Sequence, residues 1–196
     1  MIGTHHLYLT HPQVTIDPAV PVPLWGLSAV GRARMERLAG EGWIRRFGRI
    51  VSADETKALE AAAILAAALG CQVEQRGGLH ENDRSATGFL PPPEFEATAD
   101  RFFADPDRSI RGWERAVDAQ QRIVTGVRAI IGEHPDLPTI FVGHGGVGTL
   151  LRCALRGIAI SRKEDQGPGG GGCHFAFALE PVSVFYPWRP LEIPPA

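Results

Sequence analysis

TIFVGHGGVGTLLRCAL, residues 139–155, passes from a run of β-branched and aromatic residues, through a turn rich in glycine, into a series of helix formers. Thr139 to Val142 lacks polar alternation, which is the pattern of a strand covered on both faces. Thr149 to Leu155 continues as a helix. His144 stands where the strand stops, and Gly145 and Gly146 after it permit tight turning and leave amide donors open at a helix start. A strand that feeds directly into a helix is the building unit of a parallel α/β sheet.

The same alternation extends in both directions. Toward the N-terminus, His6 to Thr10 (HLYLT) reads as a short buried strand, followed by a proline-rich loop from Pro12 to Pro23. A helix runs from Ser28 to about Gly40 with Met35 and Leu38 on one face, and Ile50-Val51 gives a second strand. A helix rich in Ala and Leu spans roughly Asp54 to Leu69, with Ser52 or Asp54 as N-cap and Gly70 as its stop. Cys71 to Glu74 is then strand.

Residues 77–112 break the pattern with glycines, the prolines Pro91 to Pro93 and two aromatic clusters, and are expected to form a lid. A helix from about Trp113 to Ile131 follows, with Val117, Val124, Val127 and Ile131 on one face. Gly167 to Gly172 reads as a mobile loop, and Phe175 to Leu179 with Val182 to Tyr186 as a closing hairpin. The order predicts an α/β fold, a three-layer α/β/α sandwich whose mostly parallel sheet has an antiparallel C-terminal edge. One domain over residues 1–196, with a lid insertion at about 77–112, accommodates all of it.

Composition narrows the function classes. Of the 196 residues, 44% are hydrophobic and 21% charged, the balance of a globular domain, and the formal net charge of −2 gives no attraction to nucleic acid or an anionic membrane. The longest apolar run, Ala61 to Cys71, is about half of what a membrane-spanning helix needs. Cys71, Cys153 and Cys173 show neither disulfide parity nor metal-ligand spacing, so no metal and no cofactor is implied, and a reducing cytoplasm is expected. A small molecule becomes the default partner.

Ligands of such sheets bind beyond the strand C-termini. His11 and His144 each follow a predicted strand directly, so two histidines distant in sequence are expected at one site. His5, His6, His80, His134 and His174 read as structural.

Six segments carry a family resemblance: Thr10-His11-Pro12; Leu27-Ser28 with Gly31; SADETKALEAA at 52–62; Leu79 with Glu81; Gly112-Trp113-Glu114; and Gly143-His144-Gly145-Gly146. Their order resembles the histidine phosphatase (phosphoglycerate mutase-like) superfamily. The resemblance implies that His11 takes a phosphoryl group and that His144 is a second phosphate-pocket histidine. Lys57 stands for the family's second arginine, and Glu81 for the general acid that protonates the leaving oxygen, a role that needs a raised pKa. The substrate would be a phosphorylated small molecule or phosphoprotein, and hydrolysis is favoured over mutase chemistry by the short lid.

The first segment departs from the family's Arg-His-Gly. Thr10 supplies a hydroxyl at the substrate in place of a guanidinium fork, and Pro12 removes a backbone donor. Arg84 is the expected compensating cation, with Gly145 offering an amide. Arginine restored at position 10 is expected to raise activity by about 2–4 kcal/mol of transition-state stabilisation. Two alternatives remain beside the phosphatase: a phosphate-ligand binding module or degenerate enzyme, and a dinucleotide-dependent enzyme using Gly143, Gly145 and Gly148 with Asp165. No G-x-S-x-G elbow or Walker lysine is present.

Overall fold

A computed structural model describes residues 4–195; the outermost residues of the expected domain, 1–3 and 196, lie outside it. Five strands and five helices carry most of the fold, with two short strands at the C-terminal edge. The strands are β1 (His6–Thr10), β2 (Arg49–Ser52), β3 (Val73–Gln75), β4 (Thr139–Gly143), β5 (Cys173–Leu179), β6 (Val182–Val184) and β7 (Arg189–Pro190). The helices are α1 (Ala29–Gly40), α2 (Thr56–Leu69), α3 (Pro92–Ala104), α4 (Ala116–Glu133) and α5 (Gly145–Leu155).

The sheet runs β3-β2-β4-β1-β5-β6, with β7 also paired to β5. β3, β2, β4 and β1 are parallel, and β5 returns antiparallel to β1. From β1 the chain moves toward β3, packing α1 on α2; from β3 it moves back toward β5, packing α4 on α5. Right-handed crossovers in opposite directions place the two helix pairs on opposite faces, which yields the three layers. The outgoing connections of adjacent β1 and β4 diverge, creating a crevice at their C-terminal ends. Tyr8, Phe141, Phe175 and Phe177 are among the largest fully buried side chains of the core.

Helix ends follow local chemistry, with three departures from the sequence reading. Ser28 caps α1, its Oγ accepting from the Gly31 amide at 3.1 Å, and Gly70 closes α2 at φ 68°. The N-cap of α2 is Glu55 and neither Ser52 nor Asp54; the Glu55 side chain makes no cap bond because it turns elsewhere. The prolines at 91–93 start α3 inside the lid region instead of breaking structure, because proline's missing N–H costs nothing in a first helical turn. On α4 the buried stripe is Ala116, Ala119, Ile123, Val127, Ile130 and Ile131, while Val117 and Val124 are only half-buried.

The glycine segment at 167–172 is pinned, contrary to the mobile loop expected. Gly172 N–H donates to the His11 carbonyl at 3.0 Å, Arg34 donates to the carbonyls of Gly171 and Gly172, and Gln13 donates to Gly169. Gly169 to Gly172 all have φ between 72° and 123°, and a Cβ at Gly171 would lie 2.2 Å from the His11 carbonyl oxygen. Only glycine can follow this path.

Candidate functional site

Strand register brings the two histidines together. Thr10 pairs with Gly143 in the β1–β4 ladder, so His11 and His144 leave the sheet side by side, and the His11 amide donates to the Gly143 carbonyl at 2.9 Å. Their ring centroids lie 5.2 Å apart at an interplanar angle of 67°. His11 Nδ1 is 2.8 Å from the Pro12 carbonyl oxygen, which accepts only, so Nδ1 carries the proton and Nε2 keeps its lone pair. Burial, with the adjacent His144 and Lys57, pushes the His11 pKa down to about 3. Pro12, expected only as a lost donor, thus supplies the acceptor that fixes the tautomer.

His144 is fully buried and caps α5. Tyr8 brackets its backbone: the phenol donates to the His144 carbonyl at 3.1 Å and accepts from the His144 amide at 3.2 Å. Burial lowers the His144 pKa against the pull of Glu55 and Glu81. Nε2 approaches Glu55 Oε1 to 3.3 Å without hydrogen-bond alignment, and neither ring nitrogen has a partner among the described residues.

Glu55, absent from the sequence-based site, is its central carboxylate. It is 8% exposed, accepts from Lys57 Nζ, and accepts from the Glu81 amide at 3.0 Å. Burial opposes ionisation, but His144, Lys57 and these two donors outweigh it and hold the pKa down at about 2. Lys57 is 3% exposed and also donates to the Val22 carbonyl at 2.9 Å. The cation expected for the substrate is therefore neutralised by Glu55, and it anchors the proline-rich wall.

Glu81 lies on the first turn of α5, accepting from the amides of Gly146 at 3.0 Å and Val147 at 2.9 Å. Burial acts to raise its pKa, yet Arg84, His144 and these amides lower it. The carboxyl is thus tuned opposite to the raised pKa expected of a general acid. Arg122 of α4, another residue the sequence did not flag, holds the segment in place by donating to the carbonyls of Gly78 and His80 and pairing with Glu114 at 2.7 Å.

Thr10, expected at the substrate, makes its bonds within the chain. Its Oγ1 donates to Gln166 Oε1 at 2.7 Å and accepts from the Cys173 amide at 3.0 Å, and the side chain is fully buried. Arg84 is half-buried and lines a cavity of about 950 Å³ with Glu55, Glu81 and Asn82; its guanidinium carbon sits 5.2 Å from the Phe95 ring centre and 5.6 Å from that of Trp113. The proline-rich segment 18–23 forms the opposite wall.

The glycine fingerprint has an explanation within the chain. A Cβ at Gly143 would lie 2.5 Å from the Tyr8 hydroxyl, at Gly145 2.3 Å from Gln166 Nε2, and at Gly148 2.5 Å from Tyr8 Cε1. Asp165, the candidate ribose ligand, accepts instead from Thr149 Oγ1 at 3.1 Å and the Gln166 amide at 2.7 Å. The three glycines thus admit the chain's own Tyr8, Trp188 and Gln166 rather than a pyrophosphate. His6 and His174 are buried, as expected of structural histidines, and His174 bonds Tyr186 and the Ile193 carbonyl. His80, by contrast, lines the cavity.

The family model of the histidine phosphatase superfamily, branch 1, matches residues 22–168. The chain belongs to this superfamily. The matched span holds Glu55, Lys57, Glu81, His144 and Gln166 and begins after His11. Membership of the superfamily and neighbours named as phosphatases support a phosphatase (hydrolase).

Solved structures similar to this member include mycobacterial glucosyl-3-phosphoglycerate phosphatase with inorganic phosphate, at 22% identity over 97% of this chain and 100% of that one, TM-score 0.75. Another is Bacillus stearothermophilus YhfR, at 20% identity over 92% and 94% of the chains, TM-score 0.77. A third is an Entamoeba histolytica phosphoserine phosphatase mutant in complex with phosphoserine, at 12% identity over 96% and 98%, TM-score 0.77. These likenesses show the fold. No curated protein matches the sequence.

Proposed function

We propose that this superfamily member hydrolyses phosphomonoesters, of a small molecule or phosphoprotein, through a phosphohistidine on His11. The observation that carries the reading is the His11 tautomer: Nδ1 donates to the Pro12 carbonyl, leaving the Nε2 lone pair beside His144. A neutral imidazole held this way attacks phosphorus without prior deprotonation. The N–P bond forms as the P–O bond to the leaving group breaks, the leaving oxygen takes a proton, and water then cleaves the N–P bond to release inorganic phosphate.

Glu81 supplies the proton in this scheme. An arriving phosphoryl group competes for the amides of Gly146 and Val147, and its negative charge beside the displaced carboxyl raises the Glu81 pKa toward that of an acid. Arg84, oriented by Phe95 and Trp113, carries the cationic role that Lys57 does not fill. Charge spread over the transferring oxygens makes such fixed donors the main source of rate.

A second reading, phosphate binding without turnover, draws on the engagement of Lys57 by Glu55 and of the α5 amides by Glu81. Incubation with p-nitrophenyl phosphate separates the two. The hydrolase reading expects turnover that is lost in both His11→Ala and His144→Ala; binding of phosphate with no turnover in the unaltered chain supports the second reading and rejects the first.

A further inference from the structure

The missing guanidinium at position 10 leaves a question that two uncharged side chains answer. Asn82 is 6% exposed and lines the cavity, and its Nδ2 is buried with no hydrogen-bond partner among the described residues. Buried amide donors without partners are rare, because desolvation without a bond costs about 1–3 kcal/mol. The side chain lies against the first turn of α5, its Oδ1 3.2 Å from where a Cβ on Gly146 would stand, and a half-turn of the amide presents the donor at the same place. Its backbone amide donates to Glu81 Oε1 at 3.1 Å, so it sits beside the carboxyl that phosphate would displace.

Gln166 flanks the same turn. Its Oε1 accepts from Thr10, which fixes the amide so that Nε2 lies 2.3 Å from the Cβ position of Gly145, next to His144. Thr10 thereby acts through Gln166: the hydroxyl that replaced the family's arginine orients a carboxamide at the end of the strand that carries His11. Asn82 and Gln166 approach Gly146 and Gly145, consecutive residues at the helix start that follows the second histidine.

We propose that Asn82 and Gln166 are binding residues for the phosphoryl oxygens, neutral carboxamide donors standing in for the guanidinium absent at position 10. The assignment rests on the reading of this site as a phosphoryl site. It adds two determinants of which oxyanions the pocket accepts. A donor without charge binds an oxyanion by direction more than by field, so affinity through these two residues depends weakly on salt, unlike an arginine clamp.

The test is titration of the full chain with inorganic phosphate, followed by calorimetry or 31P NMR, for the unaltered protein, Asn82→Ala, Gln166→Ala and the near-isosteric Asn82→Asp. Each alanine variant is expected to raise the phosphate Kd about tenfold or more, the loss typical of one hydrogen bond to a charged acceptor. Asn82→Asp should raise it further by placing an anion against the ligand. Melting temperature of Asn82→Ala should not fall, since the change removes a buried donor that has no partner among the described residues. A Kd unaltered in both alanine variants overturns the assignment, as does failure of the unaltered chain to bind phosphate. Binding that depends on both residues without turnover of p-nitrophenyl phosphate upholds the assignment while rejecting the hydrolase reading.

Discussion

Replacing Lys57 by Met leaves Glu55 ionised, buried and short of its strongest donor. Removing one partner of a buried ion pair costs about 3–5 kcal/mol. The depressed Glu55 pKa gives a separate measure: a carboxyl held at about 2 when folded, against an ordinary value of 4.5, contributes about 3 kcal/mol at neutral pH. That sum is shared among His144, Lys57 and the Glu81 amide, so it bounds the Lys57 part from above; for a chain of this size a loss of about 3 kcal/mol lowers Tm by about 6–12 °C. The sign follows from the depressed value. The contribution is fully present above pH 4.5 and fades as pH falls through 2, so the gap between the unaltered chain and Lys57→Met should be widest at pH 7 and shrink in acid. Urea denaturation at pH 7 and pH 3 measures it. Glu55→Gln with Lys57→Met removes both charges and keeps an acceptor for the Glu81 amide, and should recover most of the loss. A single variant within 0.5 kcal/mol of the unaltered chain at pH 7 would refute the pairing of Lys57 with Glu55.

Thr10→Arg should lower stability by about 1–3 kcal/mol and bring no gain in turnover, reversing the expectation from sequence, because Gln166 and the Cys173 backbone enclose that side chain; an active, stable variant in a p-nitrophenyl phosphate assay would contradict this. Gly148→Ala forces a methyl group against Tyr8 and Trp188 and should cost about 1–3 kcal/mol by urea titration, while an unchanged midpoint would mean the aromatic pair yields. The His11 imidazole, with its pKa pushed down to about 3, should show no NMR titration between pH 5 and 8, and an inflection near 6.5 would show that burial and His144 do not suppress its charge. Because His6, His11 and His174 are all lowered, protons taken up by the unfolded chain should make stability fall between pH 6.5 and pH 4.

Periodicity exposed the elements that bury a continuous face: β1 and β4 are apolar on both sides, and α2 ends at the glycine that its C-cap conformation requires. The histidine pair was legible because each stands at a strand end, and a parallel sheet places such ends together. What escaped was the direction of side chains after the backbone is set. Glu55 lies among the residues that carried the resemblance, yet nothing local shows that it turns toward His144 and takes Lys57, two residues on, as its partner. Thr10 and Gln166 meet across 156 positions, a contact created by the β1–β5 pairing and the pinned glycine segment. The glycines at 143, 145 and 148 matched a cofactor pattern for a reason internal to the fold, the close approach of Tyr8, Trp188 and Gln166.

The most direct test is the chemistry of His11 itself. Incubation with a 32P-labelled phosphomonoester, quenching in alkali and peptide mapping should place acid-labile, base-stable label on His11, absent from His11→Ala and slower to form in Glu81→Gln, which lacks the proton for the leaving oxygen. Turnover without label on any histidine, or label that survives His11→Ala, would contradict the account.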